Sequence, residues 1–435
     1  MKVLLVGHAC SPDRGSEPAV TWNFAWHLSR SHEVWVMTHP KFRHEVERYL
    51  ERNPNSKLRF VWLALNAKWD PWRSLESDRG LRLHYIIWQR KALREAKRLH
   101  ELHEFDVVHH VSWGTISEPP LLWKLPVPFV WGPVGGGQIT PSAFGRYFAG
   151  HWLKEIMRTV RVKIAGRRPA LRAAVRRSSL VLSVNAATTE ALQSAGATNV
   201  HSLLSCGVPE KLMMLEPKVF LSSNEEIRIL WAGRLIPIKG LALALEALAH
   251  TESSLKVRLQ VAGGDGPLSA EMQTMALKLG LGDRVEFLGA LSWDQVQEVY
   301  RRADAFMFTS LRDSAPTVLL EAMAHRLPIL TLDHQAASSM VPDEAGIKVP
   351  VVDPKHTVEG LAKGICALAS SAEMRREMGE AGWRYAQKQG WPERVEQVSR
   401  WYSEVVETWH GRPARGALPK FNLPMNHTIG KMPMP

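Results

Sequence analysis

Residues 228–250, RILWAGRLIPIKGLALALEALAH, set the fold class. Arg228 to Ala232 is an apolar strand-like run, Gly233 to Gly240 is a loop punctuated by glycine and proline, and Leu241 to His250 is helix-forming. Strand, short loop and helix in that order make half of a strand–helix–strand unit. The pattern recurs downstream. Val257 to Ala262 is a strand closing on Gly263-Gly264-Asp265-Gly266-Pro267, and Val285 to Leu288, Ala305 to Phe308 and Pro328 to Leu332 are further short strands with helical stretches between them. Such alternation predicts an α/β domain, a parallel sheet covered by helices.

The N-terminal half repeats the logic. Lys2 to Gly7 is a short buried strand followed by a turn-rich loop, His8 to Gly15, and Ser16 is placed to cap a helix over Pro18 to Arg30. Glu33 to Thr38 and Leu58 to Leu65 are the next apolar runs, and Arg79 to Leu102 is helical in pattern, basic on one side and apolar on the other. Phe105 to Val111 and Val127 to Trp131 read as strands, the second running into the glycine-rich Gly132-Pro-Val-Gly-Gly-Gly137. Two parallel-sheet domains result, with a hinge around Val208 to Glu216. The expected division is an N-terminal domain over 1–208, a C-terminal domain over 209–390, a helix over 391–410 crossing back to the first domain, and a tail over 411–435. Five prolines and the lack of an apolar period make that tail flexible by expectation.

The 435 residues are 45% hydrophobic and 23% charged, which excludes a disordered, collagenous or coiled-coil chain. No apolar run is long enough for a membrane-spanning helix, and MKVLLVG is too short an apolar run for a signal peptide. Cys10, Cys206 and Cys366 stand too far apart for a metal site or disulfide framework and fit a reducing cytoplasm. The net charge of +12 is local: Arg146 to Arg177 holds ten bases against the single acid Glu155, and the residues after His410 add four bases and no acid. The remainder is near neutral, so the charge calls for a local anionic surface.

Ligands of open parallel sheets bind at the carboxyl ends of strands. Arg234 and Lys239 lie at such an end, beside the free N–H groups of a helix start, and would suit a diphosphate; the alternative is a surface loop with two solvated bases. The first strand is not followed by G-x-G-x-x-G, and G-x-x-x-x-G-K-[ST] is missing, which argues against a nicotinamide or P-loop protein. In TSLRDSAPTVLLEAMA, residues 309–324, Asp313 lies in a polar loop and Glu321 in the helix that follows. A carboxylate there can accept two hydrogen bonds from a vicinal diol such as a ribose, or simply interact with its own helix dipole.

Together these segments resemble the family 4 retaining glycosyltransferases. The pieces that carry the likeness are GRLIPIKG, VAGGDGP, RVEFLG and TSLRDSAPTVLLEAMAHRLPIL, with SPDRGSEPAVTWNFAWHLSRSHEVWVMT and VWGPVGGG in the first half. The resemblance covers roughly residues 1–410 and implies a GT-B fold, two facing Rossmann-like domains with a central cleft and a C-terminal helix crossing back. It implies that Arg234 and Lys239 hold and stabilise the diphosphate of a nucleotide-sugar donor, a UDP- or GDP-hexose. Glu321 matches the second glutamate of the family's E-x7-E motif, which binds the ribose, while Asp313 replaces the first. Ser314, Ala315, Pro316 and Thr317 correspond to the loop whose N–H groups approach sugar and phosphates. Gly233 and Gly264 belong to the same donor site. Gly15 matches the glycine loop over the donor phosphate, with Arg14-Gly15 where the family has Gly-Gly. His109 and His110 fall where the family places a histidine near the reacting sugar, and His110 is assigned with Arg234, Lys239 and Asp313 to the catalytic set. Alternate strand residues point to opposite faces, so one of the two histidines is structural.

What the resemblance implies is retaining hexosyl transfer to a hydroxyl of a glycan or lipid-linked acceptor, in polysaccharide or glycolipid synthesis. No metal and no other cofactor is expected to be required, for want of a suitably placed Asp-x-Asp. The basic segment 144–177, with Tyr147, Phe148, Trp152, Ile156, Met157, Val160 and Val162, either lies on an anionic membrane surface or is a helix with a solvated basic face and a buried apolar one. The expected location is cytoplasmic, peripheral on the inner face of the membrane. Competing readings are an epimerase or phosphorylase of similar architecture, a catalytically degenerate binding subunit (motivated by Asp313), and a nucleic-acid-binding protein. The last lacks zinc spacing, a helix-turn-helix and aromatic RNA-binding signatures, so no nucleic-acid partner is expected.

Overall fold

The computed structural model describes residues 1–66, 70, 72, 80–148, 150–214, 226–264, 266 and 268–410. The expected tail 411–435, the last two residues of the expected hinge, the helix start at Arg79, and Asp265 and Pro267 lie outside the described residues.

The first sheet holds β1 (Lys2–Gly7), β2 (Glu33–Thr38), β3 (Leu58–Trp62), β4 (Val107–Ser112), β5 (Phe129–Val134), β6 (Leu180–Ser183) and β7 (Val200–Ser202). Their order is β3-β2-β1-β4-β5-β6-β7, all neighbours parallel. Around them run α1 (Ser16–Leu28), α2 (Arg43–Arg52), α3 (Leu81–His103), α4 (Trp152–Lys163), α5 (Pro169–Arg177) and α6 (Ala186–Ser194). The short α7 (Glu210–Met213) lies between the domains in sequence.

The second sheet holds β8 (Ile227–Ala232), β9 (Val257–Ala262), β10 (Val285–Gly289), β11 (Ala305–Phe308), β12 (Ile329–Asp333) and β13 (Gly346–Pro350), in the parallel order β10-β9-β8-β11-β12-β13. Its helices are α8 (Leu241–Ala249), α9 (Ser269–Lys278), α10 (Trp293–Arg302), α11 (Thr317–Ala324), α12 (Gln335–Met340), α13 (Pro354–Ser370) and α14 (Ala372–Ala386). Strand order turns outward in both directions from β1/β4 and from β8/β11. These are switch points, where successive loops part and leave a crevice.

Four details differ from the sequence expectation. Ser16 does not cap α1 but begins it, with Gly15 at the cap position and no side-chain bond there. β5 continues through Gly132 and Pro133 to Val134, its pairing with β6 shifting register on the way. β3 stops at Trp62, short of Leu65. The C-terminal stretch from Ala372 to His410, helical throughout in its sequence pattern, is two helices, α14 and α15 (Trp391–His410), parted at Gly390, which bridges to Val208.

α15 returns to the first domain for a physical reason. Trp391, Val395, Val398, Tyr402 and Val405 form one buried stripe and share a core with Val3, Leu5, Phe24 and Leu28. Within that stripe the Tyr402 hydroxyl meets Nδ1 of His109 at 2.6 Å. The domains also clasp the other way. Phe144, Tyr147 and Phe148, which follow the first sheet's β5, are buried in the second domain's core beside α8.

Candidate active site

Two loops of the second domain are locked together at their strand ends. After β8 the chain passes Gly233 and Arg234 and makes a single 3₁₀ turn, Pro237–Lys239, before Gly240 opens α8. Gly240 has φ +66°, and a Cβ there would run into the Thr309 carbonyl. Only glycine meets both demands. The Thr309 hydroxyl donates to the Gly240 carbonyl at 2.8 Å, and the Ser310 hydroxyl and the Leu311 N–H donate to the Ile238 carbonyl at 3.0 and 2.8 Å. This lattice delivers Lys239 to the loop after β11, where its ammonium donates to Oδ2 of Asp313.

Asp313 is held from its other side as well. Its Oδ1 accepts the Ser314 N–H at 2.9 Å, and its own N–H donates to Gln335 at 3.2 Å. Pro316 caps α11 and Thr317 begins it, so the open N–H groups of that helix follow directly. Glu321 sits farther along α11, half-buried, accepting from the fully buried Tyr300 hydroxyl at 3.3 Å. Desolvation holds its carboxyl above the usual carboxylate range, against the smaller opposing effect of that hydrogen bond. Arg234 is exposed and has no side-chain partner among the described residues. The structure therefore joins Lys239 to Asp313 and Ser314 on one pinned loop pair and leaves Arg234 as an open cation on the same segment.

The glycines divide. Gly233 donates its N–H to the Ala262 carbonyl at 3.0 Å, tying the two loops after β8 and β9, and Gly264 stands beside Ala290. Gly15 is exposed and extended, and a Cβ there would meet nothing within 4 Å.

The first domain meets the loop after β11 through residues that sequence reasoning missed. Gln138 donates to the Ser314 hydroxyl, Asn185 Nδ2 to the Ser314 carbonyl at 3.1 Å, and Gln335 reaches back to the Ile139 carbonyl. Arg312 forms a 2.8 Å ion pair with Glu155 of α4. Gln138 had a signal in its place directly after Gly135-Gly-Gly137, and Asn185 in capping α6, where its side chain accepts from the Thr188 N–H. Glu17, in the first turn of α1, was also missed. The protein around it pushes its carboxyl up to about 7, although the Gly114 backbone donates to it.

His109 and His110 point to opposite sides of the first sheet, as the pleat requires. His109 sits under α15, its Nε2 at 2.7 Å from the Gly132 carbonyl. His110 turns toward α3, its Nε2 at 2.8 Å from the Tyr85 hydroxyl, and its buried Nδ1 has no partner among the described residues. Burial pushes both imidazoles down to about 3. Neither ring opens to solvent, and the hydrogen bond of His110 goes to Tyr85 rather than to the loop carrying Asp313.

A second polar cluster lies at the ends of β1 and β2. His39 Nε2 is 2.9 Å from both oxygens of Asp70, His84 Nε2 is 3.0 Å from one of them, and His8 Nε2 is 3.2 Å from His84 Nδ1. The ligand atoms of His39, Asp70 and His84 all lie within 4.8 Å of one another, the spacing of a cation site. The Lys41 N–H donates to His39 Nδ1 at 3.1 Å, however, which keeps the ring proton on Nε2, facing Asp70. As arranged, the cluster is a hydrogen-bonded relay with the carboxylate as common acceptor.

Two facing Rossmann-like domains, a returning C-terminal helix and paired loops at the switch points define the GT-B architecture. Within it, residues 215–384 match the family model described as glycosyl transferases group 1. The chain is 28% identical over 185 residues to a D-inositol 3-phosphate glycosyltransferase of Corynebacterium efficiens, a stretch covering 41% of this chain and 43% of that one. It thus spans less than half the length of the curated relatives it matches. Among solved structures it is similar to sucrose-phosphate synthase from Thermosynechococcus elongatus, with a TM-score of 0.63 and 17% identity over 94% of this chain and 99% of that one. It is likewise similar to HepE of Anabaena in complex with UDP, with a TM-score of 0.59 and 15% identity over 93% of this chain and 100% of that one. At such identities the structural likeness establishes the fold.

Proposed function

We propose that this chain moves a hexose from a nucleotide sugar, a UDP- or GDP-hexose, to a hydroxyl of a glycan or lipid-linked acceptor, with retention at the anomeric carbon. The observation that carries the reading is the meeting of Lys239 with Asp313 at the start of α11, inside the segment that matches the transferase family. That arrangement offers a cation and helix N–H groups to a diphosphate, and a carboxylate to sugar hydroxyls. The UDP held by HepE supports a nucleotide in a cleft of this architecture.

In this reading the acceptor oxygen attacks the anomeric carbon from the face that the diphosphate leaves. The carbon–oxygen bond to phosphate breaks, the new glycosidic bond forms, and the acceptor proton passes to a phosphate oxygen. Lys239 and Arg234 stabilise the charge on the departing nucleoside diphosphate, so no divalent metal is needed. Glu321 receives the ribose hydroxyls, and Gly15, Gly233 and Gly264 leave room for the donor, while His110, buried and bonded to Tyr85, stands behind the site rather than against the reacting sugar. Asp313, one methylene shorter than the family's glutamate, reaches less far toward the donor sugar. The lipid-linked form of the acceptor places the enzyme at the inner face of the cytoplasmic membrane.

The test is release of nucleoside diphosphate from UDP- and GDP-hexoses with glycan and lipid-extract acceptors. Lys239→Ala is expected to lower turnover by about 10²–10³-fold with its unfolding transition intact. Turnover unchanged by Lys239→Ala would refute the assignment. Nucleotide binding without turnover over any acceptor would favour the binding-subunit reading.

A further inference from the structure

Helix α4 is amphipathic the wrong way round for a helix of a protein surrounded by water. Leu153, Ile156, Met157 and Val160, with Ile164 just beyond its end, recur at helical spacing and are between 41% and 67% exposed. Glu155, by contrast, is buried, and Arg158 is half-buried. The sequence alternative in which this segment buries its apolar face is therefore not what α4 does. The aromatic residues that do bury, Phe144, Tyr147 and Phe148, lie before it. A contiguous exposed apolar stripe marks an interaction surface. Lys154 and Arg161 flank it on one side and Lys163 on the other, all exposed, with Arg167 following. No acid faces outward from the helix, since Glu155 is turned in. A second copy of the chain would set these bases against one another. An anionic bilayer surface meets both demands, taking the apolar stripe among its acyl chains and the bases among its headgroups.

The inner face of the same helix reaches the candidate site. Glu155 accepts from the Thr140 hydroxyl at 2.7 Å and pairs with Arg312, the residue before Asp313. Arg158 donates to the carbonyls of Gln138 and Gly136 at 2.7 and 3.2 Å. Gln138 in turn holds Ser314. We propose that α4 seats the protein on an anionic lipid surface by its outer stripe and that Glu155, as a positioning residue, passes that seating to the loop of residues 309–316. This deepens the proposed function and rests on its lipid-linked acceptor.

The experiment uses the full chain and vesicles, and needs no nucleotide or turnover, so its failure is distinct from failure of the transferase reading. Flotation with phosphatidylglycerol-containing vesicles is expected to show binding at least about tenfold stronger than to pure phosphatidylcholine, weakening with salt. The quadruple variant Leu153→Ser, Met157→Ser, Val160→Ser, Ile164→Ser is expected to lose that binding with its melting temperature little changed, because these side chains are 43% or more exposed. Equal vesicle binding by the variant would overturn the surface. So would a wild type that ignores vesicles but forms a dimer that the variant cannot form, or one held equally by neutral lipid. Hydrogen exchange then reads the coupling. Amides of 309–316 are expected to change protection when the wild type binds vesicles, and to change less in Glu155→Gln, with Arg312→Lys retaining the response in part. Exchange at 309–316 indifferent to vesicles in the bound wild type would overturn it.

Discussion

Glu321 carries the plainest residue-scale consequence. Its carboxyl is held above the usual range by desolvation, so it gains its proton at a higher pH than an exposed glutamate does. In the proposed function the form that accepts the ribose hydroxyls is the ionised one. Nucleotide affinity is therefore expected to fall as pH is lowered toward that raised value, and the fall should disappear in Glu321→Gln, which is weak at every pH. Calorimetric titration across a pH series checks this. Lys239 and Asp313 present the complementary case. Their side chains are 18% and 20% exposed and paired, so in the proposed function a donor diphosphate must share or displace Asp313 as the partner of Lys239. The residue types were readable in the sequence as two bases and two acids at strand ends. Their meeting was not, because it depends on hydrogen bonds between loops some seventy residues apart (Ser310 Oγ to Ile238 spans 72 positions).

The element on which this site depends is the turn from Pro237 to Gly240. Gly240→Ala asks an L-residue to adopt φ +66° and to occupy space held by the Thr309 carbonyl. A loss of about 3 kcal/mol or more in stability is expected, with the Lys239 loop displaced; chemical denaturation and nucleotide binding together measure both. Strand and helix positions in this half follow hydrophobic period and glycine punctuation closely, and β8, β9 and β11 lie within a residue or so of where the sequence places them. The misses have local causes. Ser16 looked like a cap but joined the helix, and β5 ran on through a glycine and a proline because its neighbours β4 and β6 still offered pairing. In α4 the sequence shows that bases and apolar residues alternate, but not which of them turn inward. That is set by Arg312 and by the carbonyls of the 136–138 loop, both remote in sequence.

At the scale of the molecule, two sheets are held by a returning helix and by a clasp of side chains across the cleft. The Tyr402 hydroxyl of α15 satisfies a histidine at the centre of the first sheet. Tyr402→Phe leaves His109 Nδ1 buried without that partner and is expected to cost about 1–3 kcal/mol, read as a lowered denaturation midpoint with an unchanged slope. The two-domain plan and the returning helix were legible because strand–helix alternation and a late apolar period are local signals. The bonds of Gln138, Asn185 and Gln335 across the cleft were not, since a single polar residue carries no period. The proposed function requires the cleft to receive a nucleotide, and the most direct test is a thermal-shift screen of the purified chain against UDP, GDP and ADP and their common sugar conjugates. One nucleotide is expected to raise the melting temperature by about 2 °C or more at saturating concentration, and Arg234→Ala to abolish the rise. No shift with any of them, or a shift that Arg234→Ala leaves intact, would contradict the donor site proposed for this protein.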